Sequence, residues 1–237
     1  FLSISQPRQL QTLATLPVDG VGLLRGELLI QSLLEGRSLH QWLTAGQAPE
    51  LTQRLATALV PFVEAFAPRP VYYRTLDLRP HEYDSLVGQM PADGDTPDSQ
   101  AGFNPLLGNH GTWSYTLDPT LFRMELAALQ QVRQAGHENL HLILPFVRTV
   151  DEFIACHQYI QAMDLTQNPT FQIWIMAEVP SVVYLLADYV AAGVQGAFPG
   201  VEGALIRAVQ GAAVVVEILA IDVVEIVSVT LLVPLLH

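Results

Sequence analysis

The chain has 237 residues, half of them apolar and only 14% charged, with a formal net charge of −12. That length suits one α/β barrel as well as two small domains, and the composition excludes a largely disordered chain. The acidic balance argues against a nucleic-acid partner, whose phosphates need a basic surface.

All eleven basic residues are arginine. The absence of lysine from this sequence removes a Schiff-base lysine and a Walker A lysine from consideration. The one cysteine, Cys156, excludes a disulfide framework and a cysteine-rich zinc site, and it fits a reducing compartment, so a cytoplasmic location is expected. The most apolar stretch, residues 212–236, is interrupted by Glu217, Asp222 and Glu225. An acid at mid-bilayer costs roughly 2.5–3.5 kcal/mol, so this stretch reads as buried helix plus strand and no membrane partner is expected. The sequence opens on Phe1 without a methionine; it is read as one domain over residues 1–237, belonging to something longer or comprising only its ordered part.

In chain order, strands are expected over residues 1–5, 20–24, 71–73, 139–145, 173–177, 196–200 and 223–229. Helical periodicity is expected over 8–16, 28–34, 51–66, 119–135, 150–163, 182–190, 204–213 and 214–220. A polar loop rich in Pro, Gly and Asp, residues 88–100, is the best candidate for mobility. Strands alternating with helices at this interval imply βαβ units and a parallel sheet. The natural closed form is a (β/α)8 TIM barrel, with one of its eight strands missed or absent.

The stretch around which the rest is arranged is Ile173-Trp-Ile-Met-Ala-Glu-Val-Pro-Ser181. Its apolar, partly β-branched run reads as a strand buried on both faces. Glu178 then stands at the strand's C-terminal end, where α/β barrels place ligands, although a helix-capping role is the plainer alternative. Taken as three consecutive βα units, the strands ending at Arg25, Arg74 and Glu178 put three charges on one rim. Two guanidiniums there form a clamp for phosphate or carboxylate, and one carboxylate beside them suits Mg²⁺. Taken singly, each arginine is more often a surface ion pair.

Five segments resemble a known family in order. Val18-Asp-Gly-Val-Gly-Leu-Leu-Arg-Gly-Glu-Leu28 is similar to the GxGLxRTE segment of the C-terminal barrel of phosphoenolpyruvate synthase and pyruvate phosphate dikinase. Tyr73-Arg-Thr-Leu-Asp-Leu-Arg-Pro-His-Glu-Tyr83 resembles the family's RTLD…NEY, and Asn104-Pro-Leu-Leu-Gly108 its NPMLG. Leu144-Pro-Phe-Val-Arg-Thr-Val150 resembles IPFVRTV, and Met176-Ala-Glu-Val-Pro-Ser181 resembles M(C/I)EIPS. The resemblance covers roughly residues 1–200. It implies a barrel that binds phosphoenolpyruvate or pyruvate with Mg²⁺, in which Arg25 and Arg74 hold the phosphoryl group as catalytic residues and Glu178 is a metal ligand. It also implies a phosphoryl transfer between an enzyme phosphohistidine and pyruvate. The phosphohistidine and ATP-binding segments are not in this chain, and a homodimer is the expected assembly.

The departures matter equally. The arginine that follows NPMLG falls at His110, and the threonine after the first arginine is Gly26. Where the family carries its second metal ligand, only Glu202 offers an oxygen, one position early. The family's catalytic cysteine has no counterpart, and Cys156 reads as an ordinary buried thiol. Either these groups are lost, leaving a phosphoenolpyruvate- or pyruvate-binding barrel with a regulatory or scaffold role, or mobile loops are missing from the sequence. An aldolase or lyase would need its own base near Glu178. His110 is weighed as a substitute phosphate donor against a solvated loop residue, and Asn104 as an amide donor to substrate against a turn cap. Asp77 is expected to orient Arg25 or Arg74, Arg148 to lie near the mouth, and His81 and His141 to be structural.

Overall fold

The computed structural model describes residues 1–4, 7, 10–78, 110–199 and 206–207. The expected strand at 223–229, the loop at 88–100, His81, Asn104 and Glu202 lie outside the described residues. Six strands run parallel and pair in sequence order: β1 (Leu2–Ile4), β2 (Val21–Arg25), β3 (Val71–Arg74), β4 (Leu140–Leu144), β5 (Ile173–Ala177) and β6 (Gly196–Pro199). When each strand pairs with the next and every crossover has the same hand, the connecting helices all fall on one face. The sheet curls into a half-barrel with those helices outside, and a closed eight-stranded ring is not seen among the described residues.

The helices follow from apolar spacing. They are α1 (Leu10–Ala14), α2 (Gly26–Leu33), α3 (Leu39–Thr44), α4 (Ala48–Phe66), α5 (Thr112–Leu117), α6 (Thr120–Gln134), α7 (Val150–Ala162), α8 (Pro180–Tyr184) and α9 (Leu186–Ala192). Along α4, Leu51, Leu55, Leu59, Phe62 and Phe66 recur at three or four residues and are fully buried. They belong to one outer core with Phe122, Leu126, Leu129 and Val132 of α6. Five fully buried side chains at about 2 kcal/mol each make α4 a main support of the sheet's outer face. Helix α3 falls between the helical stretches expected over 28–34 and 51–66. It is held by a capping box, in which the Gln41 N–H donates to Ser38 Oγ (3.2 Å) and the Ser38 N–H to Gln41 Oε1 (2.9 Å). The helix expected over 182–190 is divided between α8 and α9 at Leu185.

The inner face is a separate apolar layer of Leu23, Tyr72, Ile143, Trp174 and Met176, with Phe1 and Phe198 packed against it. Phe198 of β6 reaches across to β2. A Cβ added to Gly22 would meet Phe1 Cβ at 2.7 Å and the Phe198 ring at 3.0 Å, so the curl of the sheet needs glycine there.

The helix expected over 204–213 is corrected in part. Ile206–Arg207 forms a short strand, β7, antiparallel to β6. The backbone of β6 would otherwise present an unpaired edge, and a β-branched residue at 206 suits the ladder that covers it.

Two buried groups give tests of this packing. His141 faces the inner layer, its ring against Tyr72 (5.1 Å between centroids), and its Nδ1 accepts the Gln172 N–H (3.3 Å). Burial, with a contribution from the Arg133 charge, pushes its pKa down from 6.5 to about 4. The unfolded chain therefore binds the extra proton as pH falls below 6.5 while the folded chain does not, so stability is lost between pH 6.5 and 4. Denaturant titrations should show that His141→Gln reduces this acid loss by about 3 kcal/mol; equal acid slopes would refute the burial assignment. Cys156 is fully buried and its thiol is pushed up to about 12, first by burial and then by the Glu152 charge. Iodoacetamide at pH 8 should leave it unmodified until urea is added.

Candidate functional site

Side chains alternate across a strand, so residues two beyond the inner apolar layer share its face. Leu23 leads to Arg25, Tyr72 to Arg74 and Met176 to Glu178. On these three strands the inward face changes from apolar to charged at the C-terminal end. The strands are not consecutive. β4 lies between β3 and β5, and its end contributes a backbone group, the Phe146 N–H, which donates to Glu178 Oε2 at 3.0 Å. Phe146 is held at φ 46°, a left-handed conformation that a bulky residue adopts only where its surroundings impose it. Those surroundings are the His110 ring, 4.2 Å away between centroids, and the Arg148 guanidinium on the Phe146 ring, 4.6 Å from its centroid. Arg148 also donates to the His110 carbonyl (3.0 Å), and Ser181 Oγ donates to the Arg148 carbonyl (2.6 Å). Arg148 thus ties three loops of the rim together.

Arg25 and Arg74 are register partners on adjacent strands. Their environments differ. Arg74, 12% exposed, pairs closely with Glu27 and more distantly with Asp77 Oδ2 (3.9 Å). Asp77 Oδ1 in turn meets His110 Nδ1 at 2.8 Å. Burial opposes the Arg74 charge, but Glu27, Asp77 and Glu178 more than offset it and hold the guanidinium protonated. Among the described residues no ion pair includes Arg25, and its buried Nε has no hydrogen-bond partner. Arg74 Nε and Glu27 Oε2 are likewise buried without partners.

The carboxylates respond to this crowding. Glu27 is raised above the ordinary carboxylate range, chiefly by burial, with the Arg74 charge opposing and Asp77 adding to the rise. Glu178 is raised by burial and then by the Asp77 charge, against the Phe146 N–H, Arg74 and His110, which favour its ionised form. Arg74, Asp77, His110 and Glu178 therefore share one electrostatic neighbourhood. Asp77 touches Arg74 and His110, and no ion pair joins it to Arg25. His110 is 4% exposed, so the solvated-loop alternative does not hold; its ring lies between Asp77 and Phe146.

Gly26, which departs from the threonine of the resembled motif, has a local reason. A Cβ there would lie 2.5 Å from Tyr73 Oη and 2.7 Å from the Arg74 carbonyl oxygen, so the start of α2 sits directly on the end of β3. Sequence reasoning also missed Glu125 of α6, which is completely buried and accepts from Tyr73 Oη (2.7 Å) and the Leu76 N–H (3.0 Å). The available signal was a lone acid on an otherwise apolar helical face, beside Phe122, Leu126 and Leu129.

The rim thus brings Arg25 and Arg74 together as register partners, with Glu178 close enough to Arg74 and Asp77 to feel their charges. A profile of the family described as PEP-utilising enzyme, PEP-binding domain matches residues 1–197. A Pyrococcus horikoshii protein named probable phosphoenolpyruvate synthase is 31% identical over 193 residues, covering 81% of this chain and 22% of that protein. A Staphylothermus marinus protein of the same name is 32% identical over 200 residues, 83% of this chain and 23% of its own length. A Deinococcus radiodurans phosphoenolpyruvate synthase is 32% identical over 210 residues, 79% and 26% respectively. The chain thus spans roughly a quarter or less of these relatives. The chain belongs to the PEP-utilising enzyme family, which it matches through the PEP-binding domain.

Proposed function

We propose that this chain is the phosphoenolpyruvate- and pyruvate-binding domain of a cytoplasmic phosphotransferase similar to phosphoenolpyruvate synthase, active as a homodimer. The observation that carries the reading is Arg25, a cation with no ion pair among the described residues and a buried, unpartnered Nε, beside Arg74. A buried donor left without a partner costs about 1–3 kcal/mol, and an anionic ligand would supply the missing acceptor. The mouth is floored by the inner apolar layer, which excludes water and strengthens charge–charge attraction.

In this reading the phosphoryl group passes between a phosphohistidine outside this chain and the enolate oxygen of pyruvate. The methyl proton lost on forming the enolate goes to a base outside the described residues, the P–N bond breaks as the P–O bond forms, and each step reverses for phosphoenolpyruvate cleavage. Arg25 and Arg74 hold the phosphoryl oxygens and stabilise the charge that develops on them. Glu27 and Asp77 fix the plane of Arg74, and His110, anchored by Asp77, faces the same anion. Asn104, outside the described residues, is the proposed amide donor to substrate.

Mg²⁺ fits the donors present. One rim carboxylate, Glu178, whose proton affinity is raised by burial and by Asp77, would be relieved by a cation. Mg²⁺ takes few protein oxygens and fills its remaining positions with water and substrate. Among the described residues no three acidic, histidine or cysteine side chains converge for an all-protein cage. Glu178 would hold the ion with Glu202, outside the described residues, and the ion would supply charge stabilisation at the enolate oxygen.

Calorimetry with phosphoenolpyruvate and Mg²⁺ tests the assignment in the complete protein. Arg74→Ala should abolish binding, and Arg25→Ala, which breaks no ion pair among the described residues, should weaken it by about 30-fold or more, about 2 kcal/mol. Unchanged affinity in either variant rejects the site. Deuterium exchange into the methyl group of pyruvate separates turnover from binding alone: it is expected here, and tight binding without exchange would support the regulatory barrel instead.

A further inference from the structure

Glu125 sits where an acid is expensive. It lies on the apolar face of α6 with no exposure, and one carboxyl oxygen, Oε2, has no partner among the described residues. Burying such a group against water is unfavourable unless its hydrogen bonds offset the loss. Both hydrogen bonds that it accepts go to the other oxygen, and both come from the end of β3: Tyr73 Oη at 2.7 Å and the Leu76 N–H at 3.0 Å. The two donors flank Arg74. Resting on the reading of the rim as an anion site, we propose that Glu125 is a positioning residue, clamping β3 at Tyr73 and Leu76 so that Arg74 and Asp77 are presented to the substrate.

The backbone shows how the clamp works. The Thr75 N–H still bonds the Ile143 carbonyl of β4 (3.2 Å), so the sheet ladder runs that far. The next donor, the Leu76 N–H, is handed to Glu125 instead of to a strand. From α5, the Tyr115 hydroxyl meets Thr75 Oγ1 (2.8 Å) and the Leu76 carbonyl. Residues 73–76, ending one short of Asp77, are therefore gripped by two buried polar side chains. Arg74 leaves this span toward Glu27, and Asp77 leaves it toward His110. The same clamp reaches the first arginine segment, because Gly26, one residue beyond Arg25, packs on the Tyr73 hydroxyl that Glu125 holds. A shift of β3 by a few tenths of an ångström would move both guanidiniums, and positioning errors of that order are costly in a preorganised site.

Charge is not what the clamp needs. Burial raises the Glu125 pKa to about 8, with the two hydrogen bonds and Arg74 opposing and Glu27 adding to the rise. Oε1 accepts in either protonation state, and a glutamine Oε1 can accept the same two hydrogen bonds.

The test compares Glu125→Gln, Glu125→Leu and Leu129→Ala in the full-length protein that carries this chain. Leu129 is fully buried one turn further along α6 and serves as a purely destabilising control. Two readouts are taken well below the melting temperature: phosphoenolpyruvate affinity with Mg²⁺, and hydrogen–deuterium exchange across residues 74–78. Glu125→Gln should stay within about twofold in affinity, whereas Glu125→Leu should weaken binding about tenfold or more and speed exchange at 74–78. Leu129→Ala should lower the melting temperature without changing either readout. Wild-type affinity or exchange in Glu125→Leu, or equal loss in Leu129→Ala, would overturn the proposal. If Glu125→Leu does not fold, Tyr73→Phe removes one of the two hydrogen bonds without a cavity and should weaken binding about threefold, and no change there overturns the proposal equally. If the wild type binds no phosphoenolpyruvate, the functional reading fails, and the exchange data alone decide whether Glu125 holds the end of β3.

Discussion

Two arginines stand in register on neighbouring strands, and the uneven way carboxylates compensate them organises the rim. Arg74 is neutralised by Glu27 and, more weakly, by Asp77, while among the described residues Arg25 has no ion pair. The compensation is therefore one-sided. Had both arginines found carboxylates, the mouth would be a closed ion-pair network with no attraction for an anion. With one arginine compensated, the pair can stay together in a poorly hydrated place and still present a positive charge.

That asymmetry is built outward in layers. Beneath it lies the buried inner apolar layer of the half-barrel. Around it the segment ending β4 turns back through Phe146, whose unusual backbone aims an N–H at Glu178 and whose ring supports His110 and Arg148. Behind it the clamp at Glu125 and Tyr115 holds the end of β3 against the outer core. Each layer draws on a different part of the chain. The strand end that carries Arg74 is thus held by side chains from α5 and α6.

Much of this was legible before any coordinates. The period-two alternation places Arg25, Arg74 and Glu178 on the same face as Leu23, Tyr72 and Met176, and the βα rhythm puts their strand ends on one side of the sheet. Other features were not legible for physical reasons. Glu125 looks like a surface acid until α6 is packed against β3, because the sequence shows the apolar face but not the hydroxyl and amide waiting for it. His110 reads as a solvated loop residue because its burial depends on Phe146, thirty-six residues away in sequence. Helix α3 hides behind a polar composition, although its capping box could have been found. The strand at Ile206–Arg207 overrides an apolar run with helical spacing, because a sheet edge in need of a partner outweighs a weak local preference.

What the sequence determined by itself was the alternation of elements and the identity of the charges at the strand ends, since these depend on local periodicity and on residue chemistry alone. What only the tertiary structure decided was which charge is compensated and which is left open. That choice depends on distances between segments far apart in the chain: Glu27 reaching Arg74 rather than Arg25, Asp77 reaching His110, Glu125 reaching across the outer core to β3. Pairing in a low-dielectric rim is settled by ångströms, and no spacing along one strand encodes the separation between two.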